Sequence, residues 1–380
     1  MSDKPIHRLR IANFKSIDSL EIMGLSAFSV FAGANGSGKS NFFDALDFVS
    51  LFVNYGIENA LHGHGGFANI HSVKRHGSKN KKFCFEIECD LCEEPSETPS
   101  TFHYSLCIHD LENDPRIEEY LYANKEQIIK RNGDEAASDD NGKWSSVGGF
   151  PGIHSALWLY RNHPITLLLR NLNVYRIEPM GAKEPDISDF DPTRLERKGH
   201  NLASVLHRLE NDPAMFENIM DWMEMIVPGI EKIQTEQQRL DGSTALLFKE
   251  TGTKRRFPAH LISDGTMYAL CLLVAVLDAP SPGGMTLIEE PERGLHAKAI
   301  RELVDMMRQQ ASPENPLWLT THSESVVRAL KMSDLILVDK VDGRTTMKRA
   351  DAVNLSEADM APLSLDEVWL SNLLGGGLPW

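Results

Sequence analysis

The octapeptide GANGSGKS, Gly33 to Ser40, constrains this chain more than any other stretch of it. A short apolar run, Phe28 to Ala32, leads into it, and Phe42, Ala45, Leu46, Val49 and Phe52 recur behind it at helical spacing. A glycine-rich loop with lysine and serine, set between a strand and a helix, fits G-x-x-x-x-G-K-[ST] at every fixed position. Glycines let backbone N–H groups close around an anion, and the helix N-terminus adds the positive end of its dipole. The pattern predicts a nucleoside-triphosphate site, with Asn35, Gly36, Ser37, Gly38, Lys39, Ser40 and Asn41 around the phosphates. In it, Lys39 reaches the β- and γ-phosphates of ATP and Ser40 ligates Mg²⁺.

Such a loop needs a second, carboxylate-bearing strand. MTLIEEPERGLH supplies one: Met285 to Ile288 are apolar, and Glu289 and Glu290 follow. The first carboxylate suits the Mg²⁺ shell, and the second suits orienting an attacking water. LISDGTMYALCLLVAVL puts Ser263, Asp264, Gly265 and Thr266 at the start of an apolar helix, a second N-terminus suited to an anion. LWLTTHSESVV ends an apolar strand in Thr320, Thr321 and His322. Taken singly, these two are an N-cap and a core-edge histidine; their order along the chain gives them meaning.

Elsewhere RLRIANF and SLEI read as short strands, and residues 83 to 130 alternate apolar and polar as antiparallel strands do. Cys89 and Cys92 form C-x-x-C, but Cys89 falls on the apolar face of that alternation, so it reads as core rather than zinc ligand. The five scattered cysteines fit a reducing compartment. Asn132 to Gly142 reads as a turn-rich, mobile acidic loop, and Asn201 to Ile230 as helical, with Pro213 opening a second helix.

With Lys and Arg numbering 39 against 54 for Asp and Glu, the net charge is −15, which argues against generic nucleic-acid binding. Any DNA contact would use a local patch, Lys74 to Lys82 or Lys254 to Arg256. The longest apolar run, Met267 to Leu277, is shorter than the ~20 residues of a membrane helix, and the N-terminus has no apolar signal core. A soluble, cytoplasmic protein with no membrane partner is expected.

In combination, IANFKSI, GANGSGKS, SDGT, LIEEPERGLH and TTHSESVV resemble the ABC-type ATPase heads of the SMC/RecF-like branch. GHNLASVLHRLENDP and VPGI narrow the resemblance to stand-alone bacterial AAA-family ATPases of the kind found in anti-phage defence systems. The resemblance implies an α/β head: a P-loop parallel-sheet core, an antiparallel β lobe and a helical lobe. On that pattern residues 1–80 form the P-loop lobe, 81–160 an antiparallel insertion, and 161–260 a mainly helical lobe. Residues 261–380 then carry the signature, the acidic strand, the switch histidine and a C-terminal tail.

It also implies an ATP-sandwich homodimer or a higher oligomer. In it Ser263 and Gly265 contact the partner's nucleotide, Glu290 polarises water, His322 senses the γ-phosphate, and Glu292 to Leu295 face the other subunit. Three departures stand out: Asp264 replaces a glycine, Glu289 stands where aspartate is commoner, and no Q-loop glutamine is clear, Gln127 and Gln237 both being candidates.

Three functions follow from the resemblance: a nucleotide-driven switch or scaffold for a separate effector protein in defence, a RecF/SMC-like DNA-repair ATPase, and a transporter subunit, the last the weakest fit. The apolar tail with Val368, Trp369, Leu373, Leu374, Leu378 and Trp380 reads either as packing on its own domain or as a docking element.

Overall fold

The computed structural model describes residues 4–71, 82–92, 98–110, 112, 114–140, 143–147, 150–186, 193–238, 242–278, 283–353 and 363–378. The Lys74 to Lys82 patch, save Lys82, and Trp380 lie outside the described residues.

Three sheets organise the chain. The first runs β2 (Ile17–Leu25), β1 (Ile6–Phe14), β4 (Phe83–Leu91), β5 (Ser100–His109), β6 (Arg116–Ala123), β7 (Glu126–Asn132), β8 (Glu135–Asp140) and β9 (Lys143–Val147), antiparallel throughout. The second runs β10 (Asn173–Tyr175), β14 (Thr286–Glu289), β15 (Leu317–Thr321), β3 (Phe28–Ala32), β16 (Leu335–Val341) and β17 (Arg344–Arg349). It is parallel except for its β16–β17 edge. The third is a small antiparallel sheet of β11 (Ile230–Gln237), β12 (Thr244–Glu250) and β13 (Arg256–Pro258).

The helices are α1 (Lys39–Tyr55), α2 (Ile57–Gly63), α3 (Phe67–Ile70), α4 (Pro164–Arg170), α5 (Pro179–Ala182) and α6 (Leu202–Leu209). They continue as α7 (Pro213–Ile226), α8 (Asp264–Leu277), α9 (Ala297–Gln310), α10 (Glu324–Arg328) and α11 (Leu365–Leu370).

The parallel strands are apolar along their length because both faces are covered. Side chains alternate across that sheet: Val30, Ile288, Leu319 and Leu337 enter one core with α6 to α9, while Phe31, Leu287, Trp318 and Ile336 enter a second core. Helix α1 and the eight-stranded sheet complete the second core.

One expectation is corrected. The acidic stretch after Asn132 is not a loop; Glu135–Asp140 is strand β8, joined to β7 through a turn at Gly133 (φ +63°). Pairing with β7 imposes extension on a sequence of low strand propensity. Residues 230 to 258 form the third sheet, which follows helices α4 to α7 within the span 161–260. Cys84 and Cys107, directly opposed on β4 and β5, form a disulfide. Of the two readings of the tail, packing on its own chain is the one observed: Trp369 is fully buried in the first core with Val368 and Leu374, although Leu373 is exposed. Cys89 is core, as read.

Candidate functional site

In a parallel sheet the carboxyl ends of the strands open onto a common crevice. Strand β3 there runs into the glycine loop, β14 ends in Glu289, β15 in Thr321, and β10 precedes Arg176.

The loop can only be built from glycine at two points. A Cβ on Gly33 would lie 2.1 Å from the Val338 carbonyl oxygen, and one on Gly38 (φ +106°) 1.9 Å from Thr345 Oγ1. Thr345 Oγ1 donates to the Ser37 carbonyl (3.0 Å), and Asn41 Nδ2 donates to Ser16 Oγ (2.7 Å). Asn41 thus spends an amide N–H bracing the loop against the β1–β2 turn. Asn35 and Gly36 are exposed at the loop's tip; Ser37 Oγ is buried with no hydrogen-bond partner among the described residues.

Lys39 Nζ donates to the carbonyls of Gly33 (2.7 Å) and Ala34 (2.8 Å). Burial lowers the Lys39 pKa, with Glu290, Glu292 and Glu289 acting in opposition. Ser40 Oγ donates to Glu289 Oε2 at 3.1 Å, joining loop and acidic strand. The other oxygen, Oε1, accepts from Arg176 Nε (2.9 Å) and Nη2 (2.7 Å). Nη2 also donates to Asp44 Oδ1, and Lys15 pairs with Oδ2. Burial opposes the charge on Arg176, but Glu289 and Asp44 outweigh it and hold its pKa above the ordinary value.

Glu290 has φ +50°, a left-handed conformation that costs a non-glycine residue about 1–3 kcal/mol. Its N–H donates to the Thr320 carbonyl (2.9 Å), and Tyr268 OH on α8 donates to its carbonyl (2.8 Å). The backbone so fixed directs the carboxylate toward His322 Nδ1, 3.4 Å from Oε1, with Arg293 Nε 3.1 Å from Oε2. Glu292, expected in a partner-facing loop, instead turns inward: it accepts from Thr321 Oγ1 (2.7 Å), and burial raises its pKa. Arg293 and Gly294 are the exposed part of that loop.

The fold therefore gathers Lys39, Ser40, Glu289, Glu290 and His322. Ser263 and Gly265 stand apart. Ser263 caps α8, accepting from Thr266 N at 3.1 Å, and is exposed. A Cβ on Gly265 would lie 2.4 Å from the Gly294 carbonyl oxygen, so glycine is required for this close approach. Among the described residues neither is hydrogen-bonded to the phosphate loop. The negative charge of Asp264 is answered by Lys183. Gln127 sits on β7 beside Tyr122 and Gln237 on β11, so neither lies on the parallel sheet that carries the loop and the acidic strand.

Arg176, Asp44 and Tyr268 escaped the sequence reading. Only the motif YRIEP, directly after a three-residue strand, could have signalled Arg176.

The donor set fits an ATP-bound Mg²⁺ ion. A serine hydroxyl and a carboxylate, both hard oxygens, stand side by side at a helix N-terminus, and Mg²⁺ in phosphate sites takes only one or two protein ligands. Among the described residues no cluster of three His, Cys, Asp or Glu exists that could hold a metal alone. No helix among them is long and apolar enough to cross a membrane.

Comparison with known proteins bears on the fold and on the class of activity. A family model described as "AAA domain, putative AbiEii toxin, Type IV TA system" matches residues 28–328. A Helicobacter pylori protein named "ATP/GTP phosphatase" is 20% identical over 347 residues, covering 86% of this chain and 87% of its own. Among solved structures, an SMC head bound to the C-winged helix domain of ScpA superposes with a TM-score of 0.56 at 16% identity, covering 90% of this chain and 97% of that one. The SMC head domain from Thermotoga maritima gives 0.50 at 16% identity, covering 91% and 98%. The mixed α/β head expected from the sequence is the fold observed.

Proposed function

The chain belongs to the AAA-domain family matched over residues 28–328, and from that premise we propose that this ATPase is a nucleotide-driven dimeric switch for a separate effector protein, in anti-phage defence. The observation that carries the reading is the convergence of Lys39, Ser40, Glu289, Glu290 and His322 at the ends of neighbouring strands.

The loop N–H groups from Gly36 to Ser40 and the Lys39 ammonium bind the phosphates of ATP. Ser40 and Glu289 would hold Mg²⁺, which would neutralise charge on the phosphate oxygens. Arg176 fixes Glu289 through one oxygen and leaves the other toward Ser40. Glu290 takes the proton of the attacking water at its carboxylate, and His322 steadies that carboxylate and meets the γ-phosphate. Arg293, 65% exposed, is weakly held and free to leave Glu290 when substrate arrives.

The exposed Ser263, separate from the loop of its own chain, supports the sandwich: it is suited to complete the site of a second copy. Met180 and Leu261, each 64% exposed, lie on the elements flanking that helix start and suit a partner. We take the whole chain to act as one head, since β3 feeds both cores. The family description names a toxin and a toxin–antitoxin system, and one SMC-head neighbour carries a bound protein; both favour an effector partner over a lone enzyme.

Native mass measurement tests the dimer. Glu290→Gln with ATP should double in mass, and Ser263→Arg added to it should return it to the monomer. A mass indifferent to ATP and to Ser263 contradicts the sandwich. A DNA-repair role is the second reading, supported by the exposed Lys254, Arg255 and Arg256; it requires hydrolysis stimulated by DNA.

A further inference from the structure

A cavity of about 570 Å³ opens among α1, the end of α4, β10 and residues 193–197, within the size range of small-molecule sites. Three guanidinium groups line it, those of Arg170, Arg194 and Arg197, against a single carboxylate, Asp47. That carboxylate is already shared between Arg197 (2.6 Å) and His64 (3.1 Å). Arg170 and Arg194 have no carboxylate at ion-pair distance among the described residues. Their anchors are neutral amides: Arg170 Nε donates to Asn54 Oδ1 (3.3 Å), and Arg194 Nη2 donates to Asn171 Oδ1 (2.9 Å). Asp278, whose field reaches Arg194, is itself paired with Arg208.

A guanidinium carries five N–H donors in a rigid fork. Each of these two arginines is therefore positioned by one bond and keeps donors for the cavity. Three like charges around one space repel one another, and an acidic chain of net −15 has carboxylates it could have placed there. Planar forks converging from different elements match the several oxygens of a phosphate better than a lone carboxylate. Tyr55, 59% exposed, supplies a flat apolar face among the lining residues.

We propose that this cavity is a second anion site, distinct from the glycine loop, that binds a small phosphate-bearing molecule, either a nucleoside phosphate or inorganic pyrophosphate. It borders the first site: α1 begins at Lys39, and the Arg197 carbonyl accepts from the N–H of Arg176 (2.9 Å).

Calorimetric titration with pyrophosphate and, separately, AMP tests this, in Mg²⁺-free buffer on the Lys39→Ala chain, where the loop site is disabled. One site should remain. Arg170→Gln with Arg194→Gln should then weaken it, by about tenfold to a hundredfold for each guanidinium lost. If that pair does not fold, Arg170→Lys with Arg194→Lys keeps the charge, removes the forks, and should still lose about tenfold. Tighter binding of AMP identifies the nucleoside source, and tighter pyrophosphate the inorganic one. Binding absent from Lys39→Ala but present in the native chain, or undiminished in both arginine pairs, overturns the proposal and leaves the loop site standing. Two sites surviving Lys39→Ala would instead sink the loop assignment.

Discussion

Removing the Trp369 side chain should cost this protein a large share of its stability. The indole is fully buried in the core beside β16, and its Nε1–H donates to the Gly377 carbonyl at 2.6 Å. Gly377 N–H in turn donates to Asp339 Oδ1 at 2.8 Å, tying the tail to that strand. Truncating a buried tryptophan to alanine costs about 3–5 kcal/mol, and the orphaned carbonyl adds about 1 kcal/mol more. A total of about 4–6 kcal/mol compares with the roughly 5–15 kcal/mol that holds a typical domain folded. With a urea slope of about 3 kcal/mol/M, the midpoint should fall by about 1.3–2 M. Trp369→Phe, which keeps most of the ring volume and loses the N–H, should fall by only about a third of that. Urea unfolding followed by circular dichroism reads both variants. A loss below about 1 kcal/mol for Trp369→Ala would mean that the tail is not core, and the docking reading would return. For the same reason, cutting the chain before Gly375 should destabilise the head rather than merely free an adaptor.

Two further outcomes test the site. Lys39→Ala should weaken ATP binding at the glycine loop, because a charge-assisted phosphate contact is lost, whereas His322→Ala should bind there normally and hydrolyse slowly; equal losses of affinity at the loop would make the histidine structural. Asp44 titrates below the ordinary carboxylate value although burial pushes the other way, because Arg176 and Lys15 outweigh burial. Its contribution is therefore complete above the unfolded carboxylate range, at about pH 4, and lost as pH falls through the lower folded value. Asp44→Asn should flatten the acid limb of the stability–pH curve, and an unchanged slope contradicts the Arg176–Asp44–Lys15 account.

The parts legible in the sequence are those encoded by neighbours along the chain. Gly33 to Ser40, the apolar run into Glu289 and Glu290, and the strand before His322 each carry their strand, turn and chemistry within a dozen residues. Arg176 could not be read that way. It is an isolated arginine after a three-residue strand, and it meets Glu289 and Asp44 only because β10 pairs with β14 and α1 passes above. Tyr268 was hidden likewise in a helix apolar all round, its hydroxyl aimed at a backbone far along the chain. Strand β11 was hard to read because its register changes between Ile230 and Lys232, which breaks its two-residue period. Among the described side chains of strand β8 only Ala136 is deeply buried, so its extension comes from β7 rather than from its own pattern. The tail's apolar spacing was visible, but the surface it covers lies on β16, about 40 residues earlier, and spacing alone does not name a partner surface.

The most direct measurement is ATP hydrolysis by Glu290→Gln beside its affinity for ATP. The carboxylate is held near His322 by a backbone in the left-handed region, bonded at both N–H and carbonyl, which places it to act on water. Its amide analogue should bind Mg-ATP as the native chain does and turn over about 10²–10⁴-fold more slowly, the loss expected for a general base. Near-native turnover in Glu290→Gln, or a native protein that binds ATP and does not hydrolyse it, would contradict the account.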